Sequence, residues 1–257
     1  MISFAAMALL GFLLGMRHAL DPDHVIAVTT IVSTQRSVAK AGLIGTMWGI
    51  GHTVTIFLVG SAIIIFNLVI PPRLGLSMEL AVGGMLILLG LMTLTGATQR
   101  LQQKFGTHGP HGDSFPADNE QDSPALRLDN DPANPSAFER VLRSLGLYNV
   151  FRPLIVGIVH GLAGSAAVAL LVMTTIHDPW LSIAYLLLFG FGTIAGMALI
   201  TAVTSIPFIK TAGRFSGLNR TIRVASGLIS LGFGLFVAYE IGVVQGLFTA
   251  HPQWVPR

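Results

Sequence analysis

Four ionisable side chains fall within one short segment of an apolar stretch near the start of the chain: His18, Asp21, Asp23 and His24. A charged group at the centre of a membrane helix costs roughly 2.5–3.5 kcal/mol on insertion scales, so these groups are expected to face a cavity, a partner or an ion. Imidazole nitrogen combined with carboxylate oxygen suits nickel, cobalt, zinc, iron or manganese, whereas magnesium and calcium prefer oxygen alone. The segment therefore predicts a site for a divalent transition-metal ion. The alternative is that the segment is a helix end, with the two aspartates as caps and Arg17 as a membrane anchor.

Pro22 lies inside this segment and predicts a break in the first helix. It has no backbone N–H and disturbs the helix at the carbonyl of His18. Exposed polar backbone is tolerated at membrane depth only where it lines water or protein. On a straight helix His18, Asp21 and His24 share a face, whereas Asp23 points about 140° away from His18. The kink at Pro22 is expected to redirect Asp23.

His52 is a candidate for the same site because it lies beside Gly49 and Gly51, which let its helix approach a neighbour closely. We interpret it as an additional metal ligand. The alternative is a buried histidine that is satisfied by a nearby hydroxyl or carbonyl group.

The second half of the chain offers weaker candidates. His160, Ser165 and Thr193 are predicted as further contributors to the site, although the segment around His160 carries no carboxylate. The alternative for His160 is a packing position, where Gly157 and Gly161 let helices touch.

Composition places the chain in a membrane. Hydrophobic residues make up 52% of it and charged residues 11%, against about a quarter charged in a soluble domain. The absence of cysteine excludes disulfides, zinc–thiolate sites and iron–sulfur clusters. The basic residues lie in short connections between apolar runs, a pattern that argues against nucleic acid as a partner.

Apolar stretches long enough to span a bilayer occur at 5–33, 42–70, 77–97, 151–176, 181–209 and 221–246. The sequence thus predicts an all-α membrane protein of about six transmembrane helices. Residues 1–98 are interpreted as a first three-helix repeat, 99–150 as a flexible cytoplasmic loop, and 151–257 as a second three-helix repeat. His108 and His111 are interpreted as ordinary loop residues, and Glu79 and Glu240, near helix ends, as interfacial.

Two local matches indicate the repeat. The Gly15-Met-Arg-His18 segment aligns with Gly157-Ile-Val-His160, and Gly49-Ile-Gly51-His52 aligns with Gly190-Phe-Gly192-Thr193. Three helices per half is an odd number, so the copies are expected to insert with opposite orientations. Inverted repeats of this kind are typical of secondary transporters, whose binding site lies at the repeat interface.

Charge asymmetry predicts the topology. With both termini outside, the cytoplasmic connections hold twelve basic residues and the outer side only Arg73 and Arg257, which agrees with the positive-inside rule. The twelve are Arg36, Lys40, Arg100, Lys104, Arg127, Arg140, Arg143, Arg152, Lys210, Arg214, Arg220 and Arg223.

The first-helix segment resembles the signature of the nickel/cobalt transporter family, H-x4-D-H in a transmembrane helix preceded by arginine. His18, Asp23 and His24 occupy its three defining positions, and His52 matches a histidine that the family carries in a Gly-rich helix. The six-helix size is similar to the short branch that includes nickel permeases associated with urease maturation. The resemblance implies import or export of Ni²⁺ or Co²⁺ through the bacterial inner membrane. It also implies metallochaperones or urease or hydrogenase maturation proteins as partners. The chain departs from the family pattern in its second half, which lacks the family's acidic residues.

The sequence therefore predicts a secondary transporter rather than an enzyme, with Ni²⁺ or Co²⁺ as its substrate and no prosthetic group. One alternative is a membrane metalloenzyme, such as a lipid hydroxylase or an intramembrane protease, although no H-E-x-x-H motif occurs. Another is the membrane subunit of a larger energised metal-uptake complex, whose partner would hydrolyse ATP because this chain has no phosphate-binding loop.

Overall fold

The computed structural model describes residues 4–68, 70–97, 151–163, 176, 178–212, 215–249 and 252–254. The predicted cytoplasmic loop with its two histidines lies outside the described residues, and so does Ser165.

Every regular element in these ranges is a helix. The helices are α1 (Phe4–His18), α2 (Pro22–Val32), α3 (Val38–Phe66), α4 (Pro72–Leu94), α5 (Phe151–Ala163), α6 (Pro179–Ala212) and α7 (Ser216–Tyr239), and a π-helix, Glu240–Val244, continues α7. The spans Val38–Phe66, Pro72–Leu94, Pro179–Ala212 and Gly217–Val244 are long and apolar enough to cross a bilayer. Their presence is consistent with an integral membrane protein.

The first apolar stretch is broken where Pro22 predicts. α1 ends at His18 and α2 begins at Pro22. Between them the backbone tightens: the Leu20 N–H donates to the Arg17 carbonyl at 2.9 Å, and the Asp21 N–H donates to the His18 carbonyl at 3.1 Å. Proline suits the first position of α2 because its missing N–H would have had no partner inside the helix. The break thus places a turn within the segment that is predicted to hold the metal site.

α6 is the element against which α1 and α3 both pack, and the two run in opposite directions along it. Gly11 of α1 meets Tyr185 near the start of α6, while Gly196 meets Ala19 further along, so α1 runs parallel to α6. α3 runs antiparallel, because its Gly45 meets Thr201 of α6 and its later residues meet earlier ones of that helix.

Close approaches occur in matching pairs in the two halves of the chain. A Cβ added at Gly15 would overlap the carbonyl oxygen of Phe189 on α6, and one added at Gly157 would overlap that of Trp48 on α3. The two glycines are 142 residues apart in the sequence (157 − 15), and the two residues whose carbonyls they meet are 141 apart (189 − 48).

The same correspondence recurs in a second pair of contacts. Gly51 of α3 lies against the Leu154 carbonyl on α5, and Gly192 of α6 lies against the Phe12 carbonyl on α1. On α4 and α7, which pack antiparallel, Gly83 lies against Gly234 and Gly90 against Gly227. Small residues at these positions let helix backbones touch, as they do in membrane bundles generally.

A buried apolar cluster packs α2, α3 and α4 together. Val28, Ile31, Ile44 and Leu86 belong to it, and Trp48, which is fully buried, also lies in it. This cluster supports the first turn of α2 and the middle of α3, the two places where His24 and His52 occur.

We predict that Gly192→Ala lowers the thermal midpoint of the purified protein in detergent, because its new methyl group overlaps the Phe12 carbonyl. Overpacking of this kind costs about 1–3 kcal/mol. Gly84→Ala is the matched control, since it is exposed and has nothing within 4 Å of its added Cβ. Equal midpoints for the two variants would contradict the close approach of α1 and α6.

Candidate metal centre

Four histidines from four helices converge at the break in the first apolar stretch. His18 ends α1, His24 lies in the first turn of α2, His52 lies in the middle of α3, and His160 lies on α5. The centroids of their rings are 4.2 Å apart for His24–His160, 4.7 Å for His18–His24, 5.1 Å for His24–His52, 5.3 Å for His18–His52 and 5.8 Å for His52–His160. His24, His52 and His160 are buried, at 1%, 0% and 2% exposure.

His18 is held by a carboxylate on one side and faces a second imidazole on the other. Its Nδ1 lies 2.7 Å from Asp21 Oδ2, and its Nε2 lies 3.1 Å from His52 Nε2. With Nδ1–H donating to Asp21, the Nε2 lone pair of His18 points towards His52. Carboxylates orient metal-binding histidines in this way and raise their basicity.

Asp23 is redirected by the break and bridges two elements. Its Oδ2 lies 2.9 Å from His160 Nε2 on α5, and its Oδ1 accepts the backbone N–H of His24 at 2.9 Å. A straight helix would have turned this carboxylate away from His18. The break therefore brings both aspartates of the segment to the histidines.

Several buried imidazole nitrogens have no hydrogen-bond partner among the described residues. They are both ring nitrogens of His24, Nδ1 of His52 and Nδ1 of His160. His24 Nδ1 lies 3.2 Å from Asp23 Oδ1, but the two groups do not have hydrogen-bond geometry. An unsatisfied buried polar group costs about 1–3 kcal/mol, so this arrangement is explained more readily by a bound ligand than by packing.

The donor atoms form two overlapping triads. His18, His24 and His52 form one, Asp23, His24 and His160 form the other, and within each triad the donor atoms lie within 4.8 Å of one another. Two nitrogens bound at about 2.1 Å and at right angles lie about 3 Å apart, close to the 3.1 Å between His18 and His52. The nitrogens of His18 and His52 therefore have the separation of two ligands of one metal ion.

The cluster borders a cavity of about 430 Å³. All four histidines, Pro22 and both aspartates line it, and Val82, Phe233 and Val237 form an apolar wall. Glu79 of α4, which its place near a helix end predicts to be interfacial, also lines the cavity. Its position in the fold could not be read from sequence, because α4 is distant in sequence from the histidines and its helical pattern is apolar nearly all round.

Glycines on α5 explain how His160 reaches the cluster. A Cβ at Gly157 would overlap the Trp48 carbonyl, and one at Gly161 would crowd the His52 carbonyl. His160 therefore fits both interpretations at once, as a packing position and as a neighbour of the cluster. The close packing of α5 against α3 is what brings its imidazole to the other histidines.

The structure brings His18, Asp21, Asp23, His24, His52 and His160 together. Thr193 is fully buried, but its hydroxyl donates to the Phe189 carbonyl of its own helix at 2.9 Å, and it is not among the residues that line the cavity.

In the part of the chain that the structure describes, an all-helical fold with bilayer-length apolar helices and an internal histidine–carboxylate cluster is consistent with an integral membrane protein that has a candidate metal site. Comparison with known proteins finds the urease accessory protein UreH of Bacillus sp. (strain TB-90), which is 36% identical over 239 residues, 93% of this chain and 93% of that protein. The chain therefore belongs to the UreH family. No protein-family model matches it, and no solved structure does. Membership fits the resemblance to nickel permeases associated with urease maturation.

We predict that His24→Leu raises the thermal midpoint of the metal-free protein. The substitution removes two buried nitrogens that lack hydrogen bonds and relieves about 1–3 kcal/mol of desolvation. His18→Leu is the control, because both nitrogens of His18 are paired, and its midpoint should fall. Thermal unfolding in a chelator would measure both, and a fall for His24→Leu as large as that for His18→Leu would count against an unsatisfied centre.

Proposed function

We propose that this chain is a secondary transporter that moves Ni²⁺ or Co²⁺ across the bacterial inner membrane through the histidine–aspartate cluster. The observation that carries the proposal is the convergence of four histidines and three carboxylates, those of Asp21, Asp23 and Glu79, on one cavity among apolar helices. Ionisable groups among membrane-spanning helices are expensive, and the chain places seven of them around one cavity.

The donor set matches the chemistry of these ions. Imidazole nitrogen suits nickel and cobalt, and Asp21 and Asp23 supply two negative charges against the two positive charges of the ion. The loaded site is therefore close to neutral, which lowers the cost of holding a divalent ion in apolar surroundings.

The shared histidine of the two triads supports a path through the site. An ion held by His18, His24 and His52 could exchange ligands for Asp23 and His160 while it stays bound to His24. Transfer between overlapping positions avoids releasing a bare ion into the apolar surroundings.

The paired contacts in the two halves support an inverted repeat as the moving scaffold. The contacts of Gly15 and Gly192 between α1 and α6 have counterparts in those of Gly157 and Gly51 between α5 and α3, at a spacing of about 141 residues. We propose that residues 1–98 and 151–257 form the two repeats, with 99–150 as a cytoplasmic loop and both termini outside. Rocking of one repeat against the other would then alternate access to the cluster.

The relative's name associates it with urease, and for this chain we propose a role in supplying metal for the maturation of a nickel enzyme such as urease or hydrogenase. Metallochaperones or maturation proteins would receive the ion on the cytoplasmic side. The metalloenzyme and the energised-complex alternatives make different predictions for the isolated chain, which flux measurements distinguish.

Isothermal titration of Ni²⁺ and Co²⁺ into the purified protein tests the binding site. His18→Ala and Asp23→Asn should abolish tight binding, and Asp21→Asn should weaken it about 10- to 100-fold, the usual effect of removing a group that orients a metal-bound histidine. The double variant His108→Ala/His111→Ala should bind like the wild type. Wild-type affinity in His18→Ala and Asp23→Asn would disprove the assignment.

Acid should weaken binding, because neutral imidazole and ionised carboxylate are the forms that hold the ion.

Radiometal flux into proteoliposomes that contain this chain alone, with and without a pH gradient, measures transport and its coupling. Binding without flux would favour a subunit of a larger complex, and metal-dependent turnover of lipid or peptide would favour an enzyme.

A further inference from the structure

Glu79 is a carboxylate in the cavity that belongs to neither triad. It lies on α4, seven residues after Pro72 begins that helix, and so about 10 Å along it at 1.5 Å per residue. The side chain is half-buried and lines the same cavity as His18 and Asp21.

The C-terminal segment holds this carboxylate. The indole Nε1 of Trp254 donates to Glu79 Oε1 at 2.8 Å. The same ring lies directly on Gly75, one helical turn earlier, where any Cβ would overlap it. A glycine at that position is therefore what lets the indole lie flat against α4.

Further hydrogen bonds fasten the segment over the start of α4. The Gln253 N–H donates to the Gln245 carbonyl at 2.9 Å, and Arg73 Nη2 donates to the Thr249 carbonyl at 3.4 Å. This end of the bundle is the one that the charge asymmetry assigns to the outer face.

We propose that Glu79 is the entrance carboxylate of the transport path, which draws a divalent cation from the outer side into the cavity, and that Trp254 is its positioning residue. The inference rests on the proposed transport function. Val82, Phe233 and Val237 form apolar walls beside Glu79, and a charge among such walls exerts a stronger field than one in open water. The ion then passes to the histidines, of which His52 lies fourteen residues before the end of α3 at Phe66, and so about 21 Å along that helix.

A role at the entrance predicts a particular kinetic pattern. Glu79→Gln should raise the KM for Co²⁺ uptake into proteoliposomes by about tenfold or less, the low end of what a charged cleft contributes. The maximal rate and the equilibrium Co²⁺ affinity should stay close to wild type, and the dependence of uptake on ionic strength should flatten. Glu79→Asp should restore part of the KM. Glu240→Gln removes a carboxylate at the start of the π-helix that follows α7. This carboxylate does not line the cavity, so the variant is the matched control and should keep the wild-type KM.

Trp254→Phe tests the positioning role, because it keeps an aromatic ring on Gly75 and removes only the N–H donor. Like Glu79→Gln, it should raise the KM for Co²⁺ uptake. The double variant should have the same KM as Glu79→Gln alone if the two residues act as a unit.

An unchanged KM in Glu79→Gln would overturn the inference, and so would an equal change in Glu240→Gln. Loss of equilibrium Co²⁺ binding in Glu79→Gln would make Glu79 a ligand of the centre instead and would equally overturn an entrance role. If the wild type itself neither binds nor moves Co²⁺, the proposed function fails and the entrance role fails with it. If the wild type binds and moves Co²⁺ and His18→Ala loses equilibrium binding, the proposed function stands. An unchanged KM in Glu79→Gln then contradicts the entrance role alone.

Discussion

Buried imidazoles and carboxylates need partners, and that need governs the architecture around the cavity. His24 and His52 are enclosed almost completely, yet nitrogens on both lack hydrogen bonds among the described residues. An apolar bundle gains nothing from such groups unless a ligand satisfies them. The cation proposed above would satisfy them when bound, and its release would leave them without partners, a balance that alternation between binding and release requires.

The break between α1 and α2 is the local device that makes this centre possible. A continuous helix would place Asp23 on a different face from His18. With the turn at residues 19–21, both aspartates reach imidazoles, Asp21 in the same segment and Asp23 across to His160 on α5. The backbone groups that the break releases are partly re-bonded by the tighter turn, so the opening does not leave them all without partners.

The scaffold is close to symmetric in its contacts, whereas the chemistry is not. Gly15 and Gly157 hold corresponding positions against α6 and α3, yet the carboxylates of the cluster come from the first half alone. His160 brings an imidazole to the centre but no acid with it. In the proposed rocking mechanism, the first half would therefore supply most of the ligands of the ion, and the second half would supply the surface against which the first half moves.

Much of this could be predicted from the sequence. Residue types and spacing in the His18–His24 segment predicted a transition-metal site there. Pro22 predicted the break in the first helix, and composition predicted a membrane protein. These features depend on local chemistry, which spacing along one helix is enough to reveal. The partners of each group required the tertiary structure, because they come from helices far apart in the chain. His160 joins the cluster only because Gly157 and Gly161 let α5 touch α3, and Glu79 faces the cavity because α4 packs there and Trp254 folds back to hold it.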